Sequence, residues 1–103
     1  METTIILKDI LRDTINNYAD AGDEVFEIAK SAIEEQLTII IDMINVDSVP
    51  TIFMNTSFGA LIDIYGVDKT KKSFKFRNIL KSQVERISKY FNDYQSLLES
   101  NKV

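Results

Sequence analysis

Three features of this sequence predict an α/β fold, a small layered one with a sheet of three to four strands packed with helices. Leu37, Ile39, Ile40 and Ile41 form a nearly unbroken apolar run closed by Asp42. The run is too short to cross a bilayer and suits a central strand covered on both faces by helices. Downstream, Phe58, Leu61, Ile62 and Tyr65 recur at i, i+3, i+4 and i+7, so one helical face packs back onto that strand. Strand-like and helix-like segments alternate along the chain, which implies parallel pairing through right-handed crossovers.

The first strand is expected at Thr3–Leu7, β-branched and apolar. Lys8–Tyr18 admits two readings. Ile10, Leu11, Thr14, Ile15 and Tyr18 fit a helical stripe, whereas Asn16-Asn17 and the cluster Asp20-Ala21-Gly22-Asp23 read as connection. Over Glu24–Gln36, Val25, Ile28, Ala29, Ala32 and Ile33 make one apolar face, with Asp23 as the expected N-cap. After the strand at Leu37 comes a polar connection. A helix is then expected from Asn55-Thr56-Ser57 to Gly66, where a helix C-terminus favours positive φ. Val67–Lys72 reads as a basic turn, and Ser73–Ile79 as a strand with one wet face, alternating Phe74 and Phe76 with Lys75 and Arg77. Ser82 and Glu85 match a capping box opening a last helix. Its apolar seam runs Val84, Ile87, Phe91, Tyr94, Leu98, with residues 98–103 expected to fray.

With 103 residues the chain is read as one domain, burying roughly 65% of the surface of its unfolded form. Hydrophobic residues at 45% against 27% charged, with three Gly and one Pro, describe a soluble globule rather than a disordered chain. The net charge of −4 weighs against a nucleic-acid partner, which needs a basic face. The chain holds no Cys, which excludes disulfide scaffolds, thiolate metal sites and cysteine nucleophiles. The N-terminus has no basic region leading into an apolar segment, so the expected location is cytoplasmic and no membrane contact is expected. The chain also holds no His. Acid–base catalysis would then require a carboxylate or Lys displaced by burial, so no catalytic residue and no cofactor is assigned.

Chemistry concentrates in the loop beyond the carboxyl end of the Leu37 strand, where ligands of parallel sheets usually bind. Within Asn45–Ser57, a hydroxyl at the helix start can cap orphan amides or hold a phosphate there. Asp47, Ser48 and Asn55 are candidate partner contacts, and Phe53, Met54 and Phe58, flanking the loop, would anchor a partner if exposed. Asp42 and Asp47 suggest a phosphoaccepting or Mg²⁺ site, against which a structural role is favoured; no metal site is assigned. Lys69, Lys71, Lys72, Lys75 and Arg77 form a basic patch best read as a solvated face. Tyr90, Phe91 and Tyr94 have the spacing of a core and its rim rather than of a base-stacking platform.

The stretch IIIDMINVDSVPTIFMNTSFGALIDIYG resembles the core of STAS-like domains, small bacterial relatives of the anti-sigma factor antagonists. Their signature is an apolar strand ending in Asp, here Asp42, a short connection, and a Ser-Ser-Phe or Asp-Ser-Ser-Gly motif opening a helix, here Asn55-Thr56-Ser57-Phe58. Gly22-Asp23-Glu24-Val25 and Phe74-Lys75-Phe76-Arg77-Asn78 are also similar to that family's pattern. The resemblance implies a sheet backed by helices and a non-enzymatic, switchable protein-binding module. In the antagonists a kinase-like ATP-binding partner phosphorylates a Ser at this helix start and binding is released. Carried over, the phosphoacceptor position is Thr56, with Ser57 beside it. An alternative is a stand-alone interaction protein, such as a phage-host or toxin-neutralising factor, using the same fold without phosphorylation. An enzyme with carboxylate chemistry ranks third.

Overall fold

The computed structural model describes residues 1–100. Its elements run β1 (Glu2–Ile6), α1 (Leu7–Asp13), α2 (Tyr18–Glu34), β2 (Thr38–Asp42), α3 (Thr51–Met54), a π-helical turn (Asn55–Gly59), α4 (Ala60–Tyr65), α5 (Val67–Ser73), β3 (Phe74–Arg77) and α6 (Lys81–Ser100). The class is α/β as the periodicity implies. The sheet has three parallel strands in the order β1-β2-β3. In register, Ile39 stands beside Thr3 and Phe74, and Ile41 beside Ile5 and Phe76.

That row of side chains joins the helices in one core. Ile5, Ile39, Ile41 and Phe74 cluster with Val25 and Ala29 of α2, Phe53, Phe58 and Leu61 of the middle helices, and Ile87 and Phe91 of α6. Phe58 is its hub, with ring centroids 5.1 Å from Phe74 and 5.4 Å from Phe91. The alternate rows, Thr4–Ile40–Lys75 and Ile6–Asp42–Arg77, occupy the opposite face, where Thr4, Ile6, Lys75 and Arg77 are exposed. The expectation that β2 is covered by helices on both faces is therefore corrected. Ile40 is 7% exposed without belonging to the core cluster. A central strand has neighbours on both sides, so even its outward residue loses most of its water, and an apolar run does not report helices on each face.

Helix boundaries move for physical reasons. Asn17, not Asp23, caps α2, its side chain accepting from the Asp20 amide at 3.1 Å. The cluster Asp20-Ala21-Gly22-Asp23 is therefore the first turn of a helix rather than a connection. The connection is shorter and lies at Ile15 and Asn16, both at positive φ. Leu7 opens α1 instead of closing β1, and buries with Ile10 and Leu11. The basic stretch Val67–Lys72 is helical rather than a turn, entered through Gly66 at φ 87°, where glycine meets no steric resistance. At α6, Gln83 does the work expected of the Ser82–Glu85 box. Its Oε1 accepts from the Leu80 amide at 2.9 Å. Helix α6 runs to Ser100, so residues 98–100 of the expected frayed tail are helical and residues 101–103 lie outside the described part. Val84 and Leu98 of the expected seam are exposed.

Candidate partner-binding site

The middle helical run begins at Thr51, directly after Pro50 (φ −65°, ψ 155°), and continues without a break to Tyr65. Proline is suited to the entry of a helix because its missing N–H is an orphan there anyway. Thr56 and Ser57 thus lie one turn and more inside a helical run, which corrects the expectation that they open it. The Ser57 side chain is 0% exposed, its hydroxyl donating to the Phe53 carbonyl at 2.7 Å. The Thr56 hydroxyl donates to the Ile52 and Phe53 carbonyls at 3.0 and 3.2 Å. Inside a helix such hydroxyls find an acceptor three or four residues back, so they need neither water nor a partner.

The π-helical turn around them is clasped from two sides. A Cβ added at Gly22 of α2 would fall 1.7 Å from Thr56 Oγ1 and 2.8 Å from the Phe53 carbonyl oxygen. One added at Gly59 would fall 2.6 Å from the Tyr90 hydroxyl of α6. The extra residue of a π turn widens the helix locally, and here the wide part is filled by α2 and α6. The expected anchors Phe53, Met54 and Phe58 are all buried. They belong to the core because the helix that carries them begins four residues earlier than its polar tripeptide suggests.

Asp47 and Ser48 are exposed as a partner contact requires, and so are Thr51 and Asn55. Asp47 and Ser48 line a groove of about 350 Å³ together with Val49, Pro50, Ser82, Gln83 and Arg86. Two side chains of α6 hold the connection in place. Gln83, itself buried, donates through Nε2 to the Val46 carbonyl at 2.6 Å. Arg86 donates through Nε to the Val49 carbonyl at 2.7 Å and through Nη2 to Thr51 Oγ1 at 3.1 Å. Further along, the Tyr90 hydroxyl donates to Asn55 Oδ1 at 2.8 Å. Ile44 and Leu80, 47% and 56% exposed, and Val84 on the first turn of α6 add apolar surface at this end of the sheet.

Asp42 ties β2 to β3 at the same end. Its Oδ1 accepts from Asn78 Nδ2 and from the Ile44 amide, each at 3.0 Å. The Asn78 bond first, then the Ile44 amide and the Arg77 charge, hold its carboxyl below the ordinary 3.8, against a smaller opposing effect of burial. These bonds give Asp42 a structural role at the end of β2. The phenol of Tyr94 is pushed up to about 12, chiefly by donating to Asp63 Oδ1 at 2.5 Å. Both groups move away from neutrality, and neither is poised for proton transfer. Among the described residues no group of three or more His, Cys, Asp or Glu could hold a metal ion. No described helix is long and apolar enough to cross a membrane. Arg86 and the exposed Ser48 and Thr51 thus put polar groups at the same end of the sheet as the exposed apolar Ile44 and Leu80.

Gln83, Arg86, Ile44 and Leu80 carry no signal in the sequence that ties them to this place. The bonds from Gln83 and Arg86 to the connection span 37 residues, and only packing of α6 beside α3 makes them. No curated protein and no solved structure matches the chain. The family model described as "STAS-like domain of unknown function (DUF4325)" matches residues 21–83. This span contains two of the three strands, the clasped π turn and the connection, stops short of Arg86, and exceeds half of the chain. By that match, which agrees with the strand, connection and helix already described, the chain belongs to the family of STAS-like domains of unknown function.

Proposed function

We propose that this protein is a non-enzymatic regulatory module that binds a protein partner at the carboxyl end of its sheet, through the connection Asn45–Pro50 and the first turns of α6. The observation that carries the reading is the exposure of Ile44, Leu80 and Val84 on the segments that follow β2 and β3, at the end of the sheet where Arg86 fixes the connection. Apolar side chains grouped beside an arginine are the composition of interface anchors. Membership of a STAS-like family supports a binding role, and a partner of the kinase-like ATP-binding class is the one the resemblance suggests.

Phosphorylation, where it regulates this surface, acts on Ser48 or Thr51 rather than on Thr56 or Ser57. The first two hydroxyls are exposed, and Thr51 already touches Arg86. A phosphate there would add about −1.5 to −2 charge beside a guanidinium. Thr56 and Ser57 would have to leave their carbonyl partners first.

The test immobilises the full chain and compares proteins retained from cells of its source by the wild type, by Ile44→Asp with Leu80→Asp, and by Arg86→Glu. A partner kept by the wild type and lost from both variants, with the melting temperature of the Ile44→Asp, Leu80→Asp variant unchanged, is the expected result. Retention indifferent to all three substitutions overturns the assignment of the surface. Intact-mass and peptide mapping of the recovered chain decides the switch: phosphate on Ser48 or Thr51 supports it, and phosphate on Thr56 returns it to the helix interior.

A further inference from the structure

We infer that the free edge of β1 is a second docking surface, built to receive an extended basic segment of a partner protein as a fourth, added strand. The strand order leaves β1 at the sheet edge. The Thr38 amide donates to the Met1 carbonyl at 3.1 Å. In a parallel pair the backbone groups of alternate residues point to opposite sides. Met1, Thr3 and Ile5 therefore face β2, and the N–H groups of Glu2, Thr4 and Ile6 face outward. Natural edges are usually guarded by Pro, Lys or a bulge. The register of β1 is continuous and its sequence ETTII contains neither of those residues.

Beside this edge, on the helix side of the sheet, runs a groove of about 400 Å³. Thr3, Ile28, Ala32 and Leu37 contribute its apolar floor, and Glu27 of α2 and Glu35 at its C-terminal cap its rim. Among the described residues Glu2, Glu27 and Glu35 take part in no ion pair. An added strand would present alternate side chains to this groove. Lysine or arginine there would lay its stem on Ile28 and Thr3 and bring its charge to the rim. The same carboxylates argue against a second copy of the chain as occupant. Pairing β1 on β1 about a two-fold axis would set α2 beside α2 and oppose Glu27 and Glu35 to their own copies, and like charges across an interface are unfavourable. The surface lies apart from the Asp47–Arg86 groove and does not depend on it.

The probe is a capped octapeptide alternating lysine with valine, titrated into the ¹⁵N-labelled full chain. At saturation the Thr4 and Ile6 amides shift and their hydrogen exchange slows at least tenfold. Glu27→Lys with Glu35→Lys weakens binding at least tenfold. Thr4→Pro, which removes an outward N–H and leaves the β2 ladder intact, abolishes it. A peptide N-methylated at its edge-facing amides tests the same bond without altering the protein, and it does not bind. Equal affinity for the N-methylated peptide, or for one with glutamate in place of lysine, overturns the inference. So do shifts confined to other parts of the chain, absence of binding at millimolar peptide, and a sedimenting dimer that Thr4→Pro dissolves, which would give the edge to a second copy.

Discussion

Ser48 and Thr51 on one side of α3, and Thr56 and Ser57 on the other, are hydroxyl residues of similar polarity with opposite environments. The first pair stands in solvent beside Arg86; of the second, Ser57 is fully buried and Thr56 is half-buried against Gly22 of α2. Polarity therefore does not decide which of them a partner can reach. What decides is the backbone around each. Thr56 and Ser57 each reach a carbonyl one turn back, so enclosing them leaves neither hydroxyl unpaired. Between β2 and Pro50 the backbone belongs to no ladder, and the Val46 and Val49 carbonyls accept from Gln83 and Arg86 instead.

The strongest way to break this comparison is to put a charge on each side. Ser57→Asp is expected to cost about 4 kcal/mol or more, because it encloses an unpaired carboxylate. Ser48→Asp should stay within about 0.5 kcal/mol, as exposed substitutions do. Urea unfolding of both variants reads the difference, and two equally mild results would mean that the π turn opens readily. Next in size is Gly22→Ala, whose methyl has no room against Thr56 and the Phe53 carbonyl. A loss of about 2–3 kcal/mol is expected. Adding Thr56→Ala should recover only part of it, since the carbonyl remains, and a double-mutant cycle measures the coupling.

Thr70 sharpens the argument from the other direction. It is fully buried, and its hydroxyl has no hydrogen-bond partner among the described residues. Thr70→Val keeps the shape and removes the unanswered group, so stability should rise by about 1 kcal/mol, whereas Ser57→Ala should lower it. Thermal melts of the two variants moving in the same direction would sink the claim that the carbonyl partner is what permits burial.

The smallest effect concerns Asp42. Its carboxyl is held below 3.8 in the folded state, so its contribution is fully present above that pH and is lost as pH falls through the lower folded value. Asp42→Asn should melt below the wild type near neutrality, with the gap closing in acid. A constant gap would assign the loss to packing instead.

Much of the fold was legible because hydrophobic periodicity is local. The alternation of Phe74 and Phe76 with Lys75 and Arg77 marked a strand with one wet face, and Phe58, Leu61 and Ile62 marked a helical face turned to the core. Gly66 ended its helix as its position implied. Caps were less legible. Asn17 outcompeted Asp23, and Gln83 replaced the Ser82–Glu85 pair, because several short polar side chains near a helix start can each supply the same bond. Of the expected partner contacts, Asp47, Ser48 and Asn55 are exposed, whereas the packing around Thr56 and Gly59 depends on Gly22 and Tyr90, 34 residues away on either side of Thr56.

By itself the sequence determined the α/β class, the helical and strand faces, and the loop in which exposed polar chemistry sits, since each follows from residues within a few positions of one another. Only the tertiary structure decided which hydroxyls are enclosed, which face of the sheet is bare, and which side chains of α6 secure the connection. Those outcomes depend on where elements distant in the chain come to rest against each other, and no local pattern carries that information.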